Sequence, residues 1–370
     1  MPGQWSPPAP TADQEEPAVP GSAARTPAVD TDVVCLGESM VTFLPSRPGR
    51  LADVPAFSRG IGGAESNVAC ALAAAGHRVK WVSRVGADGF GDHLVEAVAA
   101  YGVDTSAVRR DPDRPTGIYF RTATDRDTDV HEVAYYRAGS AASAMSPHNV
   151  PHDALLGGRV LHLSGITAAL SADCLALLHA LTAPRPGRPL VSFDVNHRPG
   201  LWRNGDRGPK VLLDLARRCD LVFAGEDEAA SAWGVHGTEA IRAALPEPDV
   251  LVVKRGADGA TVYSRTGPGR QDTVTEVPAL HVDVVAPVGA GDAFAAGFLS
   301  ATLRGLPVRD RARHGHLMAA AVLTVPGDLT APPSRPHADR LVALDDTAWG
   351  TLRLGPGWTD DGANEEVPVT

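Results

Sequence analysis

"VVAPVGAGDAFAAGF", residues 284–298, carries a single charged side chain, Asp292, set behind two glycines and ahead of an Ala/Phe-rich run. Gly289 and Gly291 permit backbone angles closed to other residues and let N–H groups crowd round an anion. The apolar run that follows reads as a helix, whose N-terminal dipole aims at the same place. Asp292 at that helix start has two readings. It caps and stabilises the helix, or it is a base that takes a proton from a substrate hydroxyl beside a bound anion. A bare Gly-x-Gly-Asp does not decide between them.

Working outward, the chain alternates apolar strands with helices. "DVVCLGES" (32–39), "RVLHLSG" (159–165), "LVSFDVN" (190–196) and "DLVFAG" (220–225) read as buried strands. "GGAESNVACALAAAG" (62–76) reads as a glycine turn, a helix and a glycine stop. "DVLVVKRGADGATVYS" (249–264) reads as two strands about a Gly turn. This alternation predicts an α/β fold of three layers, with a mostly parallel sheet between helices. Ligands of such sheets bind beyond the C-terminal strand ends. The stretch 117–143, "GIYFRTATDRDTDVHEVAYYRAGSAAS", breaks the pattern: aromatic and β-branched runs flank a charged "TDRDTD" turn, which predicts a hairpin. With parts of 41–60 it forms a small sheet placed to cover a pocket.

Composition narrows the classes. Of 370 residues 44% are hydrophobic, enough for a large core, and no apolar run is long enough to span a membrane. The net charge of −10 argues against an overall basic nucleic-acid binder but not against an anionic small substrate. Cys35, Cys70, Cys174 and Cys219 are widely spaced, without a zinc pattern, and read as reduced thiols of a cytoplasmic protein. Residues 1–30 read as a disordered Pro/Ala-rich extension, 31–345 as the folded domain with its lid from parts of 41–60 and 115–138, and 346–370 as a C-terminal tail.

"PVGAGDAFAAGF" together with "GGAESNVACALAAAG", in this order and with these intervening strands, resembles the ribokinase-like (PfkB) carbohydrate kinases over roughly residues 32–335. The resemblance implies a ribokinase-like fold with a β-sheet lid, ATP as phosphoryl donor and Mg²⁺. It makes Asp292 the catalytic base and gives the anion-hole amides to Gly289, Ala290 and Gly291. Two positions depart from the family pattern. Ala286 stands where a polar residue is usual, and Gly225 replaces the Asn of an Asn-x-x-Glu motif whose Glu228 remains, as a candidate acting on the metal.

"YYRAGSAAS", "LHLSGITAALS" and "FDVNHRPGLW" resemble the 2-keto-3-deoxygluconate kinase branch, which implies a sugar acid as substrate. Tyr119, Tyr135 and Arg137 lie on the expected hairpin, where residues two apart share a face. Arg198 follows a strand end. Two converging arginines suit a carboxylate, which a guanidinium grips through paired hydrogen bonds. By resemblance Gly62, Gly63, Asn67 and Ile166 also line the sugar site, with Asp194 and Asn196 in support. Lys254, Gly256 and Gly259 fall on the nucleotide side, and "AAAVLTVPGD" (319–328) forms part of the adenine wall. The alternatives are a fructokinase or ribokinase acting on a neutral sugar, and a catalytically weak sugar-binding regulator. The lid's aromatic positions suggest a homo-oligomer formed through it; no nucleic acid or membrane partner is expected.

Overall fold

A computed structural model of the chain describes residues 31–47, 49–122, 133–202, 208–265 and 271–360. The expected extension 1–30 and the "TDRDTD" turn lie outside the described residues. Strands β1 (Thr31–Leu36), β2 (Met40–Pro45) and β3 (Phe57–Gly62) lead into helix α1 (Ala64–Ala74) and strand β4 (Val79–Val82). Next come β5 (Ile118–Arg121), β6 (Val133–Tyr136), β7 (Gly158–Ser164), β8 (Leu190–Asp194) and β9 (Leu221–Gly225). Helix α2 (Glu226–Trp233) leads to β10 (Val250–Lys254), β11 (Ala260–Arg265) and β12 (Asp272–Val277). Helices α3 (Ala290–Leu303) and α4 (Val308–Leu323) carry the chain toward its C-terminal segment.

The central sheet runs in the order β12-β11-β10-β9-β8-β7-β1-β4. From β10 to β4 neighbouring strands are parallel, while β11 and β12 add to the edge antiparallel. Continuous apolar runs form these strands because both faces are covered, and the pleat sends successive residues to opposite sides. In β1, Val33 and Cys35 enter one core while Val34 and Leu36 enter the other; in β9, Leu221 and Phe223 part from Val222 and Ala224 in the same way. Two cores on opposite faces of one sheet make the three layers expected from the alternation.

A second sheet, β3-β2-β5-β6, stands apart. β5 and β6 pair antiparallel, with Tyr119 opposite Tyr135, and β2 pairs parallel with β5. Its two faces differ. Tyr119 and Arg121 are buried toward the body of the molecule. Phe120 stacks on Phe43 and meets Phe57 and Tyr136 edge-on, and Tyr136 is 65% exposed.

The structure corrects one boundary. The segment from 346 was expected to be a tail, yet a helix, Asp346–Thr351, and a short strand, Arg353–Leu354, pack onto the domain. Trp349, Leu352, Leu354 and Trp358 are buried in the core on the α4 side of the sheet. The Trp349 indole N–H donates to the carbonyl of Pro278 at 3.0 Å, and the buried Arg313 guanidinium lies 4.4 Å from its ring centroid.

Candidate active site

The C-terminal ends of β8, β9 and β10 are neighbours in the sheet and deliver Asp194, the turn into α2 with Glu228, and Lys254 to one place. The turn before α3 brings Gly289, Gly291 and Asp292 against them. The lid closes the other side with Tyr119, Arg121, Val133 and Tyr135. Together with Asn196, Arg198, Pro287 and Val288 these residues enclose a cavity of about 320 Å³, the size of a small-metabolite site.

Gly289 is left-handed, φ +80°, and a Cβ on it would lie 2.6 Å from the backbone oxygen of Asp328. Both facts require glycine. No side chain caps α3 there, and the first-turn amides of a helix have no intrahelical partner, so they remain free to hold an anion. Asp292, partly buried in that first turn, accepts a hydrogen bond from the Asn67 amide at 2.9 Å. Burial pushes its pKa up to about 7, with the Asp194 charge adding to the rise and Asn67, Arg198 and Lys254 opposing it. A carboxylate that titrates near neutral pH is matched to general-base work. Asp292 is not the cap, since it lies in the first turn beyond Gly289, where its charge also faces the positive end of the helix dipole.

Lys254 donates to both Asp194 oxygens, at 2.9 and 3.2 Å. Burial opposes its charge, but Asp194, Glu228 and Asp292 outweigh burial and raise its pKa. Its Nζ lies 3.6 Å from where a Cβ on Gly291 would stand, so this ammonium sits at the glycine turn. Glu228 accepts the Gly225 N–H at 3.0 Å through one oxygen and lies 3.6 Å from Arg198 through the other. The Glu228 bond to the Gly225 N–H is the one that the third residue of a helix makes in a capping box. Asn196 has φ +40° and a buried Oδ1 with no partner among the described residues. A strained polar residue with an unanswered acceptor on a cavity wall is a mark of ligand contact.

At Ala286, the run-in to the turn is held by backbone bonds. The amides of Val285 and Ala286 both donate to the Leu323 carbonyl, at 2.7 and 3.3 Å, and tie the run-in to the end of α4.

Other expected residues lie elsewhere. Arg137 does not line the cavity. Its guanidinium is held by the buried Glu38, which also accepts the Ser140 hydroxyl, and it lies 5.7 Å from the Tyr135 ring centroid. The arginine that joins Arg198 in the cavity wall is Arg121, which the sequence reading passed over. Gly62 reaches the site edge, as a Cβ on it would stand 2.4 Å from the Tyr119 hydroxyl, whereas Gly63 packs on the Glu38–Ser39 backbone. Ile166, in the helix Gly165–Leu170 after β7, lies outside the lining, as do Gly256 and Gly259 in the β10–β11 turn. The 319–328 stretch ends with Asp328 buried under the lid, bonded to Tyr119 and Arg121. Neither Arg121 nor Asp328 was foreseen. The period-2 rule that pairs Tyr119 with Arg121 on one face was the available signal for the first.

A three-layer α/β body, a β-sheet lid and a carboxylate beside a glycine turn with free amides are the parts used by a phosphotransferase that acts on an alcohol group. The model of the pfkB family carbohydrate kinases matches residues 30–335, and the chain belongs to that family. It is 36% identical to the 2-dehydro-3-deoxygluconokinase of Bacillus subtilis (strain 168) over 309 residues, covering 82% of this chain and 93% of the relative. It is 34% identical to the 2-dehydro-3-deoxygluconokinase of Thermoproteus tenax, covering 84% of this chain and 94% of that one. Among solved structures, a sugar kinase from Pyrococcus horikoshii in complex with ATP matches with a TM-score of 0.71 at 25% identity, over 82% of this chain and 96% of that one. Among the described residues no helix is long and apolar enough to cross a membrane.

Proposed function

We propose that this protein transfers the γ-phosphoryl group of ATP to the terminal hydroxyl of 2-keto-3-deoxygluconate, giving 2-keto-3-deoxy-6-phosphogluconate. The observation that carries the chemistry is Asp292, with its pKa raised to about 7, in the first turn of a helix whose glycine cap leaves amides free. Its carboxylate takes the proton of the attacking hydroxyl while the amides of 289–291 and the Lys254 ammonium face the charge on the phosphoryl group. The sugar acid rests on the likeness to two curated kinases of that substrate and on Arg198, whose contact with Glu228 is long enough to yield to a substrate carboxylate.

Mg²⁺ fits this donor set. A site of one or two carboxylates, completed by phosphate oxygens and water, is the usual magnesium arrangement, and Glu228 on the cavity wall would supply the carboxylate. The ion neutralises phosphate charge when bound. The aromatic outer face of the lid, with Tyr136 exposed, fits self-association through the lid; light scattering of wild type and Tyr136→Asp would separate monomer from dimer.

One observation favours a neutral sugar. Arg137 and Arg121 are each held by a buried carboxylate, which leaves Arg198 as the more loosely paired arginine at the cavity. A coupled ADP assay across ketodeoxygluconate, fructose and ribose decides. We expect ketodeoxygluconate to be preferred, and Arg198→Gln to raise its KM about tenfold or more with little effect on fructose. Faster turnover of fructose or ribose would defeat the carboxylate argument, and binding without turnover of any of them would leave a regulator.

A further inference from the structure

The lid meets the body of the molecule at a buried charged contact beside the cavity. Asp328, in the loop after α4, accepts the Arg121 guanidinium at 2.8 Å on one oxygen and the Tyr119 hydroxyl at 3.0 Å on the other. Both side chains of the ion pair are 5% exposed. The Arg121 guanidinium also reaches the Pro326 carbonyl at 3.4 Å, so the loop holds it twice. The backbone of the same aspartate presses on the anion turn at Gly289, and its carboxylate closes on β3, where a Cβ at Gly62 would lie 2.9 Å away. One residue thus touches the lid strand, the first glycine turn and the phosphoryl-binding turn. Tyr119 and Arg121 are cavity-lining residues, whereas Asp328 is not among them.

We propose that Asp328 is a positioning residue, a latch that fixes lid strand β5 against the anion turn through Tyr119 and Arg121 and thereby sets the sugar side of the cavity. The inference rests on the kinase reading for its kinetic test but not for its structural one. Because the contact is made by the chain alone, the lid strand is held in place before any sugar arrives. Because it neutralises Arg121, it also keeps that charge from serving as an open carboxylate grip and leaves the grip to Arg198. A buried pair of this kind contributes little net stability compared with apolar residues of the same volume, but it fixes which groups face each other.

The test has two arms. In steady-state kinetics, Asp328→Asn should raise the KM for ketodeoxygluconate about tenfold while the KM for ATP stays within about twofold. A purely structural role would lower the active fraction and leave both KM values alone, and that result would overturn the proposal. The paired variant Arg121→Met/Asp328→Leu removes the charges while keeping the volume. It should fold and still show the raised sugar KM; a wild-type KM in it would equally overturn the proposal. The second arm needs no activity. In the ligand-free protein, hydrogen exchange of the 118–121 amides should speed up about tenfold or more in Asp328→Asn and, to a smaller extent, in Tyr119→Phe. Unchanged exchange in both refutes the latch whatever the substrate is. If wild type phosphorylates none of the sugars tested, the functional reading has failed, and the exchange arm alone judges the latch.

Discussion

Replacing Asp292 with Asn separates catalysis from stability at one atom. Asn is isosteric, and its carbonyl oxygen can keep the 2.9 Å bond from Asn67, so the geometry survives while the proton acceptor is lost. Loss of a positioned general base costs about 10²–10⁴-fold in rate, which is about 3–5 kcal/mol of barrier. The same carboxylate has its folded pKa raised from 3.8 to about 7, chiefly by burial. The folded protein therefore binds this proton more tightly than the unfolded chain does between those values. Linkage then makes the group's contribution fall as pH rises through that window, and above pH 7 the full cost of holding a buried charge is present. Three pH units correspond to about 4 kcal/mol as an upper bound; partial exposure of Asp292 reduces the expected net to about 1–2 kcal/mol. Asp292→Asn should thus be more stable than wild type at pH 8, by a few °C in Tm, and the gap should close as pH falls toward 4. In wild type, kcat/KM should fall about tenfold per pH unit below pH 7, because only the ionised form accepts a proton. The assays are a coupled ADP assay and thermal melts at pH 8 and pH 5. Retained turnover would refute the base, and a variant no more stable at pH 8 than at pH 5, each relative to wild type, would refute the buried-charge argument.

Two further changes test the surrounding structure. Lys254→Met leaves the buried Asp194 carboxylate unpaired and should destabilise the protein by about 3 kcal/mol; in urea unfolding, adding Asp194→Asn should recover most of that loss without recovering activity. Trp349→Ala empties a fully buried site and removes the Arg313 ring contact. It should cost about 3–5 kcal/mol, measurable as a large fall in the denaturation midpoint, and a fall below about 1 kcal/mol would show that the C-terminal segment adds little to the core.

The fold was legible because its strands are buried on both faces, and such strands announce themselves as apolar runs between helices. Asp292 stood out as the candidate base for a related reason. A lone carboxylate in an apolar, glycine-rich stretch has few structural uses. The C-terminal segment escaped notice because Trp349, Leu352, Leu354 and Trp358 sit among Gly, Asp and Pro at spacings too irregular for a helical or strand period. They become core only when α4 offers a surface for them.

The arginines show where a sequence reading stops. Tyr135 and Arg137 are two apart and do lie together, yet Arg137 is spent on Glu38, 99 residues earlier. Arg121 shares a face with Tyr119 and enters the cavity wall, but Asp328, 207 residues later, holds it. Lys254, placed on the nucleotide side from its turn, answers Asp194 two strands away. Each of these bonds depends on strand order and loop return, which bring together carboxylates that no local pattern pairs. A guanidinium already bonded to a buried carboxylate presents its remaining edge at most, so the count of arginines near a site does not measure its affinity for an acid. What measures it is how many of them have no better partner. At this cavity that criterion singles out Arg198, with its 3.6 Å contact to Glu228, and it makes the carboxylate preference hang on one side chain rather than on two.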